Sequence, residues 1–118
     1  AELQASDIDY VNPHGTGSHI GDETELAAIQ QSGLSHAYLN ATKSIFGHGL
    51  TAAGSVEFAA TLLQMRAGKL HPTRNLQQPM LSDYNWVQHE AVTHSIQNAV
   101  TMSMGFGGIN TALCVSAI

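Results

Sequence analysis

The order of apolar and polar positions divides the chain into alternating strands and helices. Ile8-Asp9-Tyr10-Val11-Asn12 reads as a short buried strand that stops at Pro13. Pro13 to Gly21 holds three glycines, a proline and small hydroxyl residues, the composition of a loop. Asp22, with Glu25 three residues on, is a plausible helix N-cap. The helix it opens should run to about Ser32, with Gly33 as its stop. Ala37 to Ala41 can form a second strand, and His48 to Ala67 a long helix ending at Gly68. That helix begins on small residues, Thr51, Ala52, Ala53, Gly54 and Ser55, as one lying close against other backbone in a core would. His71 to His89 has no clear period and reads as an irregular connection. Val100 to Met104 and Thr111 to Ile118 then form two strands joined by the turn Gly105-Phe106-Gly107-Gly108. The pattern is α/β.

Composition narrows what such a chain can be. At 118 residues it is one domain with one core. Apolar residues make up 43% and charged residues only 11%, so part of the surface is expected to lie against something other than water. The formal net charge of −5 argues against a nucleic-acid partner, because no basic stripe is available to neutralise phosphates. No apolar run reaches the roughly 20 residues of a membrane span. No signal peptide is evident, and the chain opens on Ala1 rather than Met, as a trimmed or severed start would. The single cysteine, Cys114, excludes an internal disulfide and fits a cytoplasmic protein. His19, His36, His71, His89 and His94 are scattered, with no zinc-type spacing among them.

Three segments carry chemistry. The first is Asn12-Pro13-His14-Gly15-Thr16-Gly17-Ser18, followed by Gly21-Asp22 and Glu25. It sets a histidine at the tip of a buried strand, on a loop whose backbone can approach a ligand. Thr16 and Ser18 add hydroxyls without bulk, which suits an elongated polar ligand arm with a reactive end. Taken alone, the segment reads equally as a glycine turn leading into a helix.

The second segment is Lys43-Ser44, Gly47-His48, Ala52-Ala53-Gly54 and Glu57. His48 at a helix start would be kept neutral by the positive end of the helix dipole, and a neutral imidazole can donate to developing negative charge. Lys43 and Glu57 are opposite charges in a nearly uncharged stretch. Glu57 lies too far along the helix to touch His48 directly, so Lys43 or a water should bridge. By itself such a Lys–Glu pair is more often structural.

The third segment, Ser103-Met104-Gly105-Phe106-Gly107-Gly108 and Asn110, offers backbone N–H groups in a tight turn. That turn can form one arm of an oxyanion hole, although alone it reads as a plain hairpin.

In this order the three segments resemble the C-terminal part of the β-ketoacyl-acyl-carrier-protein synthases, the ketosynthases of fatty-acid and polyketide assembly. The family patterns are similar to N-A-H-G-T-x-T-x-x-G-D-x-x-E, K-S-x-x-G-H-x-x-G-A-A-G-x-x-E and N-S-F-G-F-G-G-x-N. The resemblance covers nearly the whole chain. It implies the thiolase-like fold, two similar halves layered αβαβα, of which residues 1–118 would be most of the second half. The nucleophilic cysteine would lie in the first half, outside this chain, and Cys114, inside the last strand, does not replace it.

The resemblance also implies roles. His14 and His48 would stabilise the enolate left when a malonyl thioester loses carbon dioxide, and one of them would help place a water on that carboxylate. Lys43 would order the histidine region with Glu57 behind it. Phe106 would gate the acyl pocket while its N–H, next to Gly107, serves the oxyanion. Thr16 and Ser18 would hold the phosphopantetheine arm. The implied partners are the cysteine-bearing half, an acyl carrier protein and a second copy of the complete fold, with no cofactor bound by the protein itself. The activity implied is decarboxylative Claisen condensation, in which an acyl group passes to the partner cysteine and the enolate attacks it. Two alternatives follow from the unknown half: a malonyl-carrier decarboxylase, or a non-catalytic subunit like a chain-length factor.

The chain departs from the patterns at several positions. Ser18 for threonine keeps a hydroxyl. Thr51 stands in place of glycine, Met102 of asparagine and Met104 of phenylalanine, and the methionines suggest an altered acyl pocket. Arg66, Lys69 and Arg74 follow the long helix and could form a docking patch, or simply favour a helix C-terminus.

Overall fold

The computed structural model describes residues 2–118; Ala1, with which the chain opens, lies outside them. The strands are β1 (Tyr10–Asn12), β2 (Tyr38–Leu39), β3 (Lys69–Leu70), β4 (Asn85–Trp86), β5 (Val92–Thr93), β6 (Asn98–Met104) and β7 (Asn110–Ser116). The helices are α1 (His19–Gln31), α2 (Lys43–Phe46) and α3 (Ala53–Ala67). Five strands form one sheet in the order β4-β2-β1-β6-β7, and β3 pairs with β5 apart from it. The pairs β4–β2, β2–β1 and β1–β6 are parallel, whereas β6 and β7 form an antiparallel hairpin from Asn98↔Ser116 to Met104↔Asn110.

Alternation along the central strand decides what each sheet face meets. Val11 points to one side with its partners Leu39 and Val100, and there it packs with Leu26 and Ile29 of α1. Tyr10 and Asn12 point to the other side, where Tyr10 and Ala99 join Leu70, Val87 and Ile96. Much of that second face is polar, so its buried groups must bond one another. The Tyr10 hydroxyl donates to Asn40 Oδ1 at 2.5 Å and accepts from Gln64 Nε2 at 3.0 Å. Thr42 Oγ1 donates to Asn12 Oδ1 at 2.6 Å, and Asn12 Nδ2 to Thr101 Oγ1 at 3.0 Å.

Helix α3 covers this polar face with a polar stripe of its own. Glu57, Thr61 and Gln64 recur at helical spacing and are buried, while Val56, Phe58, Leu62 and Leu63 are exposed on its other side. A helix that turns its polar side inward and shows water its leucines is inverted relative to an ordinary surface helix. Six of the seven residues of β7 are exposed as well. The low charged fraction thus has a location: the outer side of α3 and the β7 edge carry apolar surface in this chain.

Several boundaries differ from the pattern-based reading. Helix α1 starts at His19 with Ser18 as its N-cap residue, so Asp22 sits in the first turn and does not cap it. Gly33 does take the left-handed conformation expected of a stop, with φ +72°. The second strand shrinks to Tyr38–Leu39. The long helix begins at Ala53, not His48, because Leu50 has φ +50°, outside the right-handed helical region, and Leu50–Ala52 make only a short 3-10 turn. Only Ala53 of the small-residue start is buried; Thr51, Ala52, Gly54 and Ser55 are exposed. The segment read as irregular holds β4, and Met102 packs against the α1-side cluster.

Candidate active site

The chain leaves β1 at Asn12 and turns through the buried Pro13 to His14. Gly15 makes the turn possible. Its φ is +50°, and a Cβ there would stand 3.1 Å from the Cβ of Ala41. The loop is then tied to α1 by carboxylates. Glu25, buried, accepts the His14 N–H on Oε1 at 2.6 Å and the Gly15 N–H on Oε2 at 2.9 Å. Asp22 accepts the Gly17 N–H at 3.1 Å. The two acids read as a helix cap are therefore the anchors of the histidine loop. Burial pushes the Glu25 carboxyl above the usual carboxylate range, against the pull of its two N–H donors.

Lys43 opens α2, and its side chain is nearly sequestered. Its ammonium donates to Nδ1 of His14 at 3.2 Å, to the His14 carbonyl, and to Oε1 of Glu57. Three N–H bonds thus find three acceptors. The sequence suggests a bridge from Glu57 to His48; Lys43 does bridge, but it joins Glu57 to His14 instead. Burial, with the Lys43 bond opposing it, holds the Glu57 carboxyl above its ordinary range. Glu57 Oε2 and, one turn on, Thr61 Oγ1 are buried without a hydrogen-bond partner among the described residues.

The two histidine rings lie with centroids 5.7 Å apart and planes at 88°. An ammonium can only donate, so Nδ1 of His14 must accept and a neutral ring carries its proton on Nε2. His48 reaches the same state by another route. It precedes α3 in a loop, and its Nδ1 accepts the Leu50 N–H at 2.9 Å. Leu50 donates that bond from a left-handed backbone, φ +50°, so His48 sits in a turn before α3 and not at a helix start as the sequence suggests. Desolvation first, then the Lys43 charge and the His48 ring, hold the His14 pKa below its ordinary 6.5. The result is two rings at right angles, each with Nδ1 accepting an N–H and Nε2 left as the outward donor.

The other candidates surround this pair less closely. Thr16 and Ser18 are exposed, their hydroxyl oxygens 3.3 Å apart. Phe106 is fully exposed on the β6–β7 turn, beside Gly107 at φ +89° and Gly108 at φ +83°, with no aromatic partner among the described residues. Cys114 lies exposed in β7. Glu25 and Leu50 were missed as site residues. The spacing of Glu25 matched a capping box, and a backbone N–H leaves no mark in a sequence.

Comparison with known proteins agrees with the order of these elements. Residues 1–77 match the model of the β-ketoacyl synthase C-terminal domain. The chain belongs to the β-ketoacyl synthase family. It is 57% identical over 118 residues to the polyketide biosynthesis malonyl-ACP decarboxylase PksF of Bacillus subtilis (strain 168), covering all of this chain and 28% of that protein. It is 41% identical over 112 residues to the 3-oxoacyl-[acyl-carrier-protein] synthase 1 of Buchnera aphidicola, covering 92% of this chain and 27% of that synthase. A β-ketoacyl synthase from Burkholderia phymatum STM815 superposes with a TM-score of 0.95 at 32% identity, over 100% of this chain and 29% of the other. The fold is therefore the C-terminal part of a ketosynthase, and the chain spans little more than a quarter of its relatives' length. No helix among the described residues is long and apolar enough to cross a membrane.

Proposed function

We propose that this chain is the histidine-bearing part of a ketosynthase-type site that decarboxylates a malonyl thioester carried on phosphopantetheine. The observation that carries the proposal is the paired state of His14 and His48. Both rings have Nδ1 occupied by an N–H donor, so both keep Nε2–H free to donate. When the bond to the carboxylate breaks, carbon dioxide leaves and the electron pair spreads onto the thioester oxygen as an enolate. Two preorganised donors meet that charge without carrying charge themselves, which favours the transition state over the bound substrate. Lys43 and Glu57 act as positioning residues that fix the tautomer of His14. Thr16 and Ser18 hydrogen-bond the phosphopantetheine arm, and the Phe106 N–H supplies one arm of an oxyanion hole.

In the condensing reading, a cysteine in the part of the protein beyond these residues first takes an acyl group. The enolate then attacks that thioester, forming a carbon–carbon bond and releasing the cysteine thiolate. In a second reading the enolate takes a proton and leaves as an acetyl thioester. The 57% identity to a malonyl-ACP decarboxylase, against 41% to a condensing synthase, favours this fate. Either way the protein works on an acidic acyl carrier protein, as a dimer of the complete fold, in the cytoplasm. The experiment supplies the complete protein with malonyl-carrier protein, with and without an acyl donor, and measures carbon dioxide and the carrier-bound product. Acetyl-carrier protein identifies the decarboxylase and a β-ketoacyl product the synthase. Absence of carbon dioxide release defeats both.

A further inference from the structure

Behind the histidine loop, on a side that neither His14 nor His48 lines, lies an open cavity of about 290 Å³. One wall is the backbone of Gly15 to Gly17, and the opposite side is the segment around Arg74 to Met80. Between them the lining is apolar, with Leu26, Leu76, Met80 and Trp86 its largest side chains. Four charged residues border it. Asp22 and Glu25 are committed to N–H groups of the loop, and Lys43 is committed to His14 and Glu57. Arg74 is different. It is an exposed residue and has no acidic partner among the described residues. An apolar cleft with a single uncommitted cation at its rim has the make-up of a site for a small amphipathic anion. We infer that this cavity binds an aliphatic carboxylate, with its chain against Leu26, Met80 and Trp86 and its head at Arg74. A bidentate bond from a guanidinium to a carboxylate suits that head group better than any other side chain in the lining. Because the far wall is the loop that carries His14, an occupant would bear directly on the site proposed above.

The test uses the complete protein with octanoate as probe and octanol as its uncharged counterpart. The readout is the fluorescence change that disappears in Trp86→Phe, which isolates the indole in the cavity wall. Octanoate should give a saturable Trp86-dependent change. Arg74→Ala should weaken octanoate by about tenfold and leave octanol unaffected. Met80→Trp, at an exposed position where folding is not at risk, should fill the cavity and abolish both. No saturable Trp86-dependent change would overturn the inference. So would octanol binding as tightly as octanoate, or binding that ignores both Arg74→Ala and Met80→Trp. The measurement needs no turnover, so a protein that binds octanoate but releases no carbon dioxide contradicts only the functional proposal.

Discussion

Lys43 reaches across 29 positions of sequence to place its ammonium 3.2 Å from Nδ1 of His14. This one contact fixes which nitrogen carries the proton and makes protonation of the ring unfavourable. Lys43→Met removes both effects at once. If the His14 ring acts as proposed, loss of the charge-assisted bond that orients it costs about 1.5–3 kcal/mol, or roughly 10- to 100-fold in rate. The pH profile separates orientation from charge. With the His14 pKa held low, by burial first and by Lys43 second, the part of the acid limb that belongs to His14 should lie below 6.5. In Lys43→Met the acid limb should move up toward 6.5, since one cause of the depression is gone. Profiles of carbon dioxide release for the two proteins decide this, and superimposable acid limbs would contradict it.

Glu25 holds the loop by two bonds, one on each oxygen. Glu25→Gln leaves one oxygen acceptor and turns an amide N–H₂ toward the second backbone donor, so it should behave almost as badly as Glu25→Ala. Each lost bond between a backbone N–H and the charged group is worth about 1.5–3 kcal/mol. Turnover should therefore drop by at least tenfold in both variants while the fold persists. Hydrogen exchange at His14 and Gly15 provides the structural check: protection of these two amides should fall selectively. Full activity in Glu25→Gln would remove Glu25 from the account.

The sheet and its hairpin were legible because they depend on local signals. Strands β1, β2, β6 and β7 show as apolar runs, the first ended by Pro13 and the last two joined by the glycine turn after Met104, and such signals act over a few residues. The start of α3 was not legible, because the interruption depends on Leu50 adopting φ +50°, a conformation leucine avoids unless its surroundings impose it. The strands β3, β4 and β5 were hidden for a different reason. Each spans two residues, too few to show alternation, and they exist only because tertiary pairing selects them. The candidate site was legible by residue type, His14, His48, Lys43 and Glu57, but not by connection. Glu25 and Asp22 looked like caps, and only the fold shows their carboxylates turned back onto the loop.

The inverted helix α3 makes a prediction about the chain by itself. Phe58, Leu62 and Leu63 face outward together with the exposed β7, and a stable free domain would not leave such surfaces bare. Expressed alone, residues 1–118 should associate or lack a sharp calorimetric transition. Expressed within the complete protein, the same residues should unfold cooperatively. A monomeric fragment that melts sharply would show that these apolar faces need no cover.

Phe106 projects wholly into solvent from a turn whose following glycines take positive φ. Its ring and its N–H should therefore have separable effects. Phe106→Ala in the complete protein should alter which acyl groups are accepted more than it slows acyl loading in general. Competition between short and long acyl donors is the measurement. A uniform collapse of loading for every donor would assign the ring to the oxyanion machinery and not to a gate.

The central claim is that His14 and His48 together stabilise the enolate. It is tested most directly by carbon dioxide release from malonyl-carrier protein in His14→Ala and His48→Ala variants of the complete protein. Acyl loading of the partner nucleophile is followed separately with a labelled donor wherever loading occurs. Each substitution should lower decarboxylation by at least about 100-fold, the usual loss on deleting one such donor or acid–base group, while loading persists. Decarboxylation at the unmodified rate in both variants would contradict the account.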